Sequence, residues 1–120
     1  MIYVASPYSH PAPAIREGRF RAVQEYTAQL LRARSWCYSP IVHCHDLAVR
    51  FKLPFTADFW EEYNFHMLER SDSLHVLKLP GWEDSRGVQA EIRHWAAMGG
   101  LPKLVPWGEE DDDKQTTSVR

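Results

Sequence analysis

This chain has little of what several functional classes require. Two cysteines among 120 residues, Cys37 and Cys44, are too few for a disulfide scaffold and fit a reducing compartment. Lysine and arginine number 14 against 16 aspartates and glutamates, so the net charge is −2. No basic stripe exists to grip a nucleic acid polymer. No apolar run approaches the ~20 residues that a membrane-spanning helix needs. The chain opens directly on an apolar strand, which reads as the absence of a signal peptide. The expectation is a cytoplasmic protein with no membrane and no polymer partner. Neither the G-x-G-x-x-G fingerprint nor a P-loop occurs, so hydride transfer and nucleotide-triphosphate hydrolysis lack support. A small-molecule ligand or a protein partner is left.

What is present is enough for one domain. The chain is 44% hydrophobic with 12% aromatics, and its length is that of a single unit. The domain is expected over residues 1–107. Residues 108–120 are nearly free of apolar side chains and read as an acidic disordered tail.

Ile2, Tyr3, Val4 and Ala5 read as a buried strand, broken by Ser6 and Pro7. A helical pattern follows, with Phe20, Val23, Thr27, Leu30 and Leu31 inward and Arg16, Arg19, Gln24 and Arg32 outward. Residues 36–42 read as a second strand and 43–46 as a polar, histidine-bearing loop. Residues 47–53 are ambiguous, a short helix being one reading. Asp58-Phe59-Trp60-Glu61 resembles a capping box that opens a helix with Phe59, Tyr63, Met67 and Leu68 inward. Residues 74–79 form a third strand. A helix from 86 to about 98 buries Val88, Ile92 and Trp95, and Leu104-Val105 lies in a fourth strand.

Strands alternating with helices predict an α/β fold with right-handed crossovers. The expected architecture is a flavodoxin-like three-layer sandwich, with a four- to five-stranded parallel sheet in the order 2-1-3-4. Ligands in such sheets bind where strands 1 and 3 send their chains to opposite sides. The turns at 6–10 and 81–91 are therefore expected at one crevice.

The second of those turns carries the densest chemistry. An apolar strand ends at Leu79, Pro80-Gly81 turns the chain, and Ser85-Arg86-Gly87 opens a helix bearing Glu91. A helix N-terminus holds unpaired N–H groups and partial positive charge, which suits an anion. Ser85 can cap the helix and also donate to a phosphate oxygen, and Gly87 leaves room for a ligand against the backbone. Glu91 stands six positions after Ser85, ~9 Å along the axis, and its side chain leans back toward the turn. An anion site with a carboxylate one sugar's length away suggests chemistry on a nucleotide. The plainer reading is that Ser85 only caps and Glu91 only complements the dipole.

Other candidates carry paired readings too. Beside Val88 and Ile92, partial desolvation would raise the Glu91 pKa and strengthen it as base or nucleophile. Tyr3 either orients that carboxylate or is a core tyrosine with its hydroxyl satisfied. Ser6, Tyr8 and Ser9 offer hydroxyls to a ligand, or are ordinary turn formers. Arg16 and Arg19 fit a phosphate clamp or a solvated helix face. His43 either meets a base or sugar or is an exposed loop histidine. Trp60 and Trp82 stack on a base or pack in the core. His43, Cys44 and His45 invite a metal, but structural zinc needs four ligands in paired spacings and no second cluster exists. No metal and no organic cofactor is expected. A Ser–His–Asp triad lacks its G-x-S-x-G elbow.

Three segments together resemble the nucleoside 2-deoxyribosyltransferase superfamily, which includes the 2'-deoxynucleoside 5'-monophosphate N-glycosidases. They are Ile2-Tyr3-Val4-Ala5-Ser6-Pro7-Tyr8-Ser9, Ser39-Pro40-Ile41-Val42-His43, and Ser85-Arg86-Gly87-Val88-Gln89-Ala90-Glu91. They span most of residues 1–107, and the last is the most specific. The similarity is greatest to short bacterial and phage proteins of that fold. The resemblance implies that Glu91 is the nucleophile at the anomeric carbon, that Tyr3 orients it, and that Ser85 contacts a 5'-phosphate. It also implies a homodimer or higher homo-oligomer. The family's carboxylate eight residues before Asp72 corresponds to position 64 (72 − 8 = 64), which holds Asn64. An amide hydrogen-bonds a sugar hydroxyl but carries no charge and relays no proton, so either Asp58 or Glu62 substitutes, or the activity is weak, altered or absent. The expected activity is N-glycosidic cleavage of a 2'-deoxynucleoside 5'-monophosphate, by hydrolysis or deoxyribosyl transfer. The alternatives are cleavage of another N-riboside such as NAD, and a nucleotide-binding module without turnover.

Overall fold

The computed structural model describes residues 1–108. Four strands, β1 (Ile2–Ala5), β2 (Cys37–Tyr38), β3 (Ser73–Lys78) and β4 (Lys103–Pro106), form one all-parallel sheet in the order β2-β1-β3-β4. Four helices connect them: α1 (Pro13–Arg32), α2 (Pro40–Phe51), α3 (Ala57–Leu68) and α4 (Arg86–Ala97). This is a flavodoxin-like α/β sandwich with the strand order that the sequence predicts. The acidic tail lies outside the described residues, apart from Gly108.

Both sheet faces are covered, which is why the central strands read as nearly continuous apolar runs. Tyr3, Ala5, Leu74 and Val76 point to one face and pack against Leu68, Val88 and Trp95 from α3 and α4. Val4 and Leu77 point to the other and pack against Val23 and Tyr26 of α1. The register sets Tyr3 beside Leu74 and Ala5 beside Val76. A one-residue slip would send Tyr3 to the wrong layer. Leu31, placed on the inner face by its spacing, is instead 47% exposed, and Tyr26 takes the buried position.

The segment after β2 departs from expectation. The second strand is only two residues, and residues 43–46 are helix interior. Ser39 is the N-cap, its hydroxyl accepting from the Val42 N–H at 3.1 Å, and Pro40 takes the first helical position. Cap and proline together start the helix earlier than the β-branched pair Ile41-Val42 suggests. Cys44, His45 and Ala48 then face inward while His43, Asp46 and Leu47 face out. The capping box at Asp58 is also absent. Thr56 is the N-cap of α3 without a side-chain bond, and the Asp58 carboxylate pairs with Arg86. On α3, Leu68 is buried and Met67 packs on the core, whereas Phe59 and Tyr63 stay exposed.

At the crevice the two switch loops are fastened to each other. Arg19 of α1 donates to the Ser9 carbonyl at 3.0 Å and to the Pro80 carbonyl at 3.2 Å. Gly81 turns the chain at a φ of 92°, with Arg19 Nη2 only 2.9 Å from where a Cβ would stand. The positive φ is what asks for glycine at this turn, and a side chain there would also press on the Arg19 head.

Candidate active site

The loops after β1 and β3 enclose a cavity of about 390 Å³. That lies within the ~300–1,000 Å³ typical of small-molecule sites. One wall is Ser6, Tyr8 and Ser9 from the first loop, with Cys44, His45 and Ala48 of α2 beside them. The opposite wall is Asn64 and Trp60 of α3 with Ser85, Arg86, Gly87 and Glu91 at the start of α4.

Glu91 is the chemical centre. It is 6% exposed, and the Tyr3 hydroxyl donates to its Oε2 at 2.5 Å. Oε1 accepts from no described residue. Burial is the main cause that pushes the carboxyl from 4.5 to about 7, opposed by the Tyr3 hydrogen bond and reinforced by the nearby Glu61 carboxylate. Tyr3 is completely enclosed, and burial, with Glu91 second, raises its phenol well above the usual range. Tyr3 therefore stays protonated and always donates. A carboxylate with one oxygen fixed and the other unengaged at a cavity wall is equipped to act as nucleophile or base.

Polar groups gather around it. Ser85 Oγ accepts from the Val88 N–H at 3.3 Å, which leaves its own proton free to donate. The Arg86 and Gly87 N–H groups sit in the first turn, where no intrahelical acceptor exists. A Cβ on Gly87 would meet only Ala57 Cβ at 3.6 Å, so protein packing does not demand glycine there. What glycine leaves is space on the cavity wall. Two buried atoms of the cavity lining, Ser6 Oγ and Asn64 Oδ1, have no hydrogen-bond partner among the described residues. Orphaned groups of this kind cost ~1–3 kcal/mol each, so they suit a polar occupant.

The structure brings seven sequence-predicted residues to this cavity: Ser6, Tyr8, Ser9, Asn64, Ser85, Gly87 and Glu91, with Tyr3 behind Glu91. Arg19 does not line it, because its guanidinium is spent on the two loop carbonyls. His43 lies on the exposed side of α2, its ring 5.9 Å from that of Tyr38. Trp60 lines the cavity, but Trp82 packs on the core. Among the described residues, no group of three or more His, Cys, Asp or Glu is placed to hold a metal. Glu62 is exposed and away from the cavity, and its neighbour Glu61 is the carboxylate that reaches Glu91. His45, Glu61 and Arg86 were not evident in the sequence. For His45 the signal was Ser39-Pro40, which turns residues 44, 45 and 48 into one inner helix face.

Over residues 1–106 the sequence matches a family described as a domain of unknown function, DUF1937, and the chain belongs to that family. No curated protein matches it.

The Glu91 carboxyl has a consequence for stability. The unfolded chain releases this proton near 4.5, whereas the folded protein holds it to about 7. Between those values the native state binds more protons, so this group's contribution makes stability fall as pH rises. Glu91→Gln removes the effect while keeping an acceptor for Tyr3. The variant is expected to be more stable than the wild type at pH 8, by on the order of 3 kcal/mol. The gap should close toward pH 4.5, as read by urea unfolding across that range.

Proposed function

We propose that this DUF1937-family protein cleaves the N-glycosidic bond of 2'-deoxynucleoside 5'-monophosphates through a covalent ester between Glu91 and the sugar. The observation that carries the reading is Glu91 itself. It is a buried carboxylate, held on Oε2 by Tyr3, with Oε1 unengaged, in a cavity of nucleotide dimensions. Attack by Oε1 on the anomeric carbon expels the base, and water resolves the ester, or a second base accepts the sugar. The start of α4 supports the assignment of a phosphate, since Ser85 and the first-turn N–H groups are donors with no competing carboxylate on the same turn of that helix. Ser6 and Asn64 are placed to partner the single sugar hydroxyl, at C3'. No cofactor enters this chemistry.

The reading includes residence in the cytoplasm, supported by the two free cysteines. No described helix is long and apolar enough to cross a membrane. It also includes a homodimer. Leu47 and Phe51 on α2 and Phe59 on α3 are large apolar side chains left 43–65% exposed, more than a lone domain of this size gains from showing to water. Light scattering should give twice the chain mass, and a monomer at working concentration would remove this part of the reading.

The direct experiment incubates the protein with deoxynucleoside monophosphates, the matching nucleosides and NAD, and scores free base by chromatography. Wild type should release base from a monophosphate, with a rate that rises with pH through about 7 as Glu91 ionises. Glu91→Gln should abolish release while still binding ligand. Binding without release in the wild type would make the protein a nucleotide-binding module, a reading that Asn64 favours because it lacks the acid.

Calorimetry tests the phosphate. Charge-assisted hydrogen bonds contribute ~1.5–3 kcal/mol each, so loss of the phosphate should weaken binding by about tenfold or more. Equal affinity for nucleoside and nucleotide would move the anion site elsewhere.

A further inference from the structure

The cavity wall opposite Glu91 carries a hydrogen-bonded chain that the reading above does not use. The Tyr8 hydroxyl lies 2.6 Å from His45 Nδ1, and His45 Nε2 lies 3.0 Å from Glu17 Oε1. His45 is 4% exposed, and its ring stacks on Phe20 at 4.0 Å between centroids with a 19° tilt. Glu17 reaches solvent and also pairs with Arg21 at 3.2 Å. A chain of groups that exchange protons thus runs from the cavity to the surface.

The carboxylate fixes its direction. Glu17 only accepts, so Nε2 carries a proton in either charge state of the ring. In the neutral ring Nδ1 accepts from Tyr8. In the imidazolium Nδ1 donates to the Tyr8 oxygen, which releases the phenol proton toward the cavity. Glu17 and Phe20 hold the ring in one place throughout. Burial raises the Tyr8 phenol above its ordinary 10.0, so it enters the site protonated.

A departing base needs such a donor, because without a proton it leaves as an anion. The other groups on the wall do not supply one. Asn64 is an amide, Glu91 is engaged as nucleophile, Asp58 is paired with Arg86, and the buried Cys44 thiol is raised by desolvation. Asp84 stands exposed beside Ser85, at the end assigned to the phosphate.

We propose that Tyr8 is the catalytic proton donor to the leaving base, with His45 and Glu17 as the positioning residues behind it. This rests on the N-glycosidase reading. As the C–N bond breaks, its electron pair stays with the base, which takes the Tyr8 proton. Tyr8 takes the proton of His45 Nδ1, and Glu91 Oε1 bonds the anomeric carbon. In the second half water bonds that carbon and the ester electron pair returns to Glu91. The water proton passes through Tyr8 back to His45. The sum is one water consumed, one base and one sugar released.

The test compares two leaving groups on one enzyme. The substrates are a deoxynucleoside monophosphate with an ordinary base and its activated counterpart. The pair is guanine against N7-methylguanine, or uracil against 5-fluorouracil, according to the ring that the wild type cleaves. Tyr8→Phe keeps the ring and removes the proton. It should slow release of the ordinary base by about 10²-fold or more, yet leave the activated base near the wild-type rate. Glu17→Gln, on the exposed end, should show the same pattern more weakly, and decides the matter if Tyr8→Phe does not fold. An equal loss on both leaving groups, or no loss on either, overturns the proton-donor role and leaves the N-glycosidase reading intact. A wild type that releases no base from any substrate overturns both.

Discussion

Burying a carboxylate without a cation beside it is unfavourable, and the rest of this site is arranged around that constraint. Glu91 sits where α4 meets the C-terminal end of the sheet, with the apolar side chains of Val88 and Trp95 on its own helix. Among the described residues Tyr3 is the one donor that reaches it, and Tyr3 is held by the register of β1 beside β3. The hydrogen bond lowers the cost of the charge without cancelling it, so the carboxyl stays near 7 instead of 4.5. Were Tyr3 a cation, the pair would be stable and the oxygen far less basic. A neutral donor keeps both the position and the reactivity.

The sheet topology supplies the second half of the arrangement. Because β1 sends its chain toward α1 and β3 sends its chain toward α4, the two loops diverge and leave a crevice between them. Arg19 keeps that crevice at a fixed width by bonding one carbonyl from each loop. Burial lowers the Arg19 pKa somewhat, a sign that its head is drawn in among protein atoms. It serves the site by holding the walls, without touching what lies between them.

Much of this was legible from the sequence because strand and helix signals fell in regular alternation. The parallel order 2-1-3-4 followed from that alternation, and the order alone placed residues 6–10 beside residues 81–91. The misreading of the segment after β2 has one cause. At Ser39-Pro40 a cap signal competed with β-branched residues, and tertiary packing settled it in favour of helix. That hid His45 and left His43 looking like a loop residue. Arg19 was read as a phosphate clamp and Glu61 was not singled out for the site, for a different reason. Their partners are backbone carbonyls and a carboxylate that lie 10, 61 and 30 positions away (19 − 9, 80 − 19 and 91 − 61), and local pattern carries no trace of such pairs.

Asn64 belongs to the same electrostatic balance. It shares a small void with Glu61 and Glu91, where α3 lies against α4. Glu61 alone already adds to the rise in the Glu91 pKa. A third carboxylate at position 64 would place another like charge beside Glu91 and push its pKa further up. An amide there keeps hydrogen-bonding capacity for a ligand while sparing Glu91 that repulsion. In the proposed reaction, proton delivery comes instead from Tyr8 and His45, which are hydrogen-bonded to each other in the cavity lining. The division is physically sensible for the proposed reaction: the proposed anion, Glu91 on α4, and the proposed proton donor, Tyr8 in the loop after β1, stand on different elements around the cavity, so neither charge state works against the other.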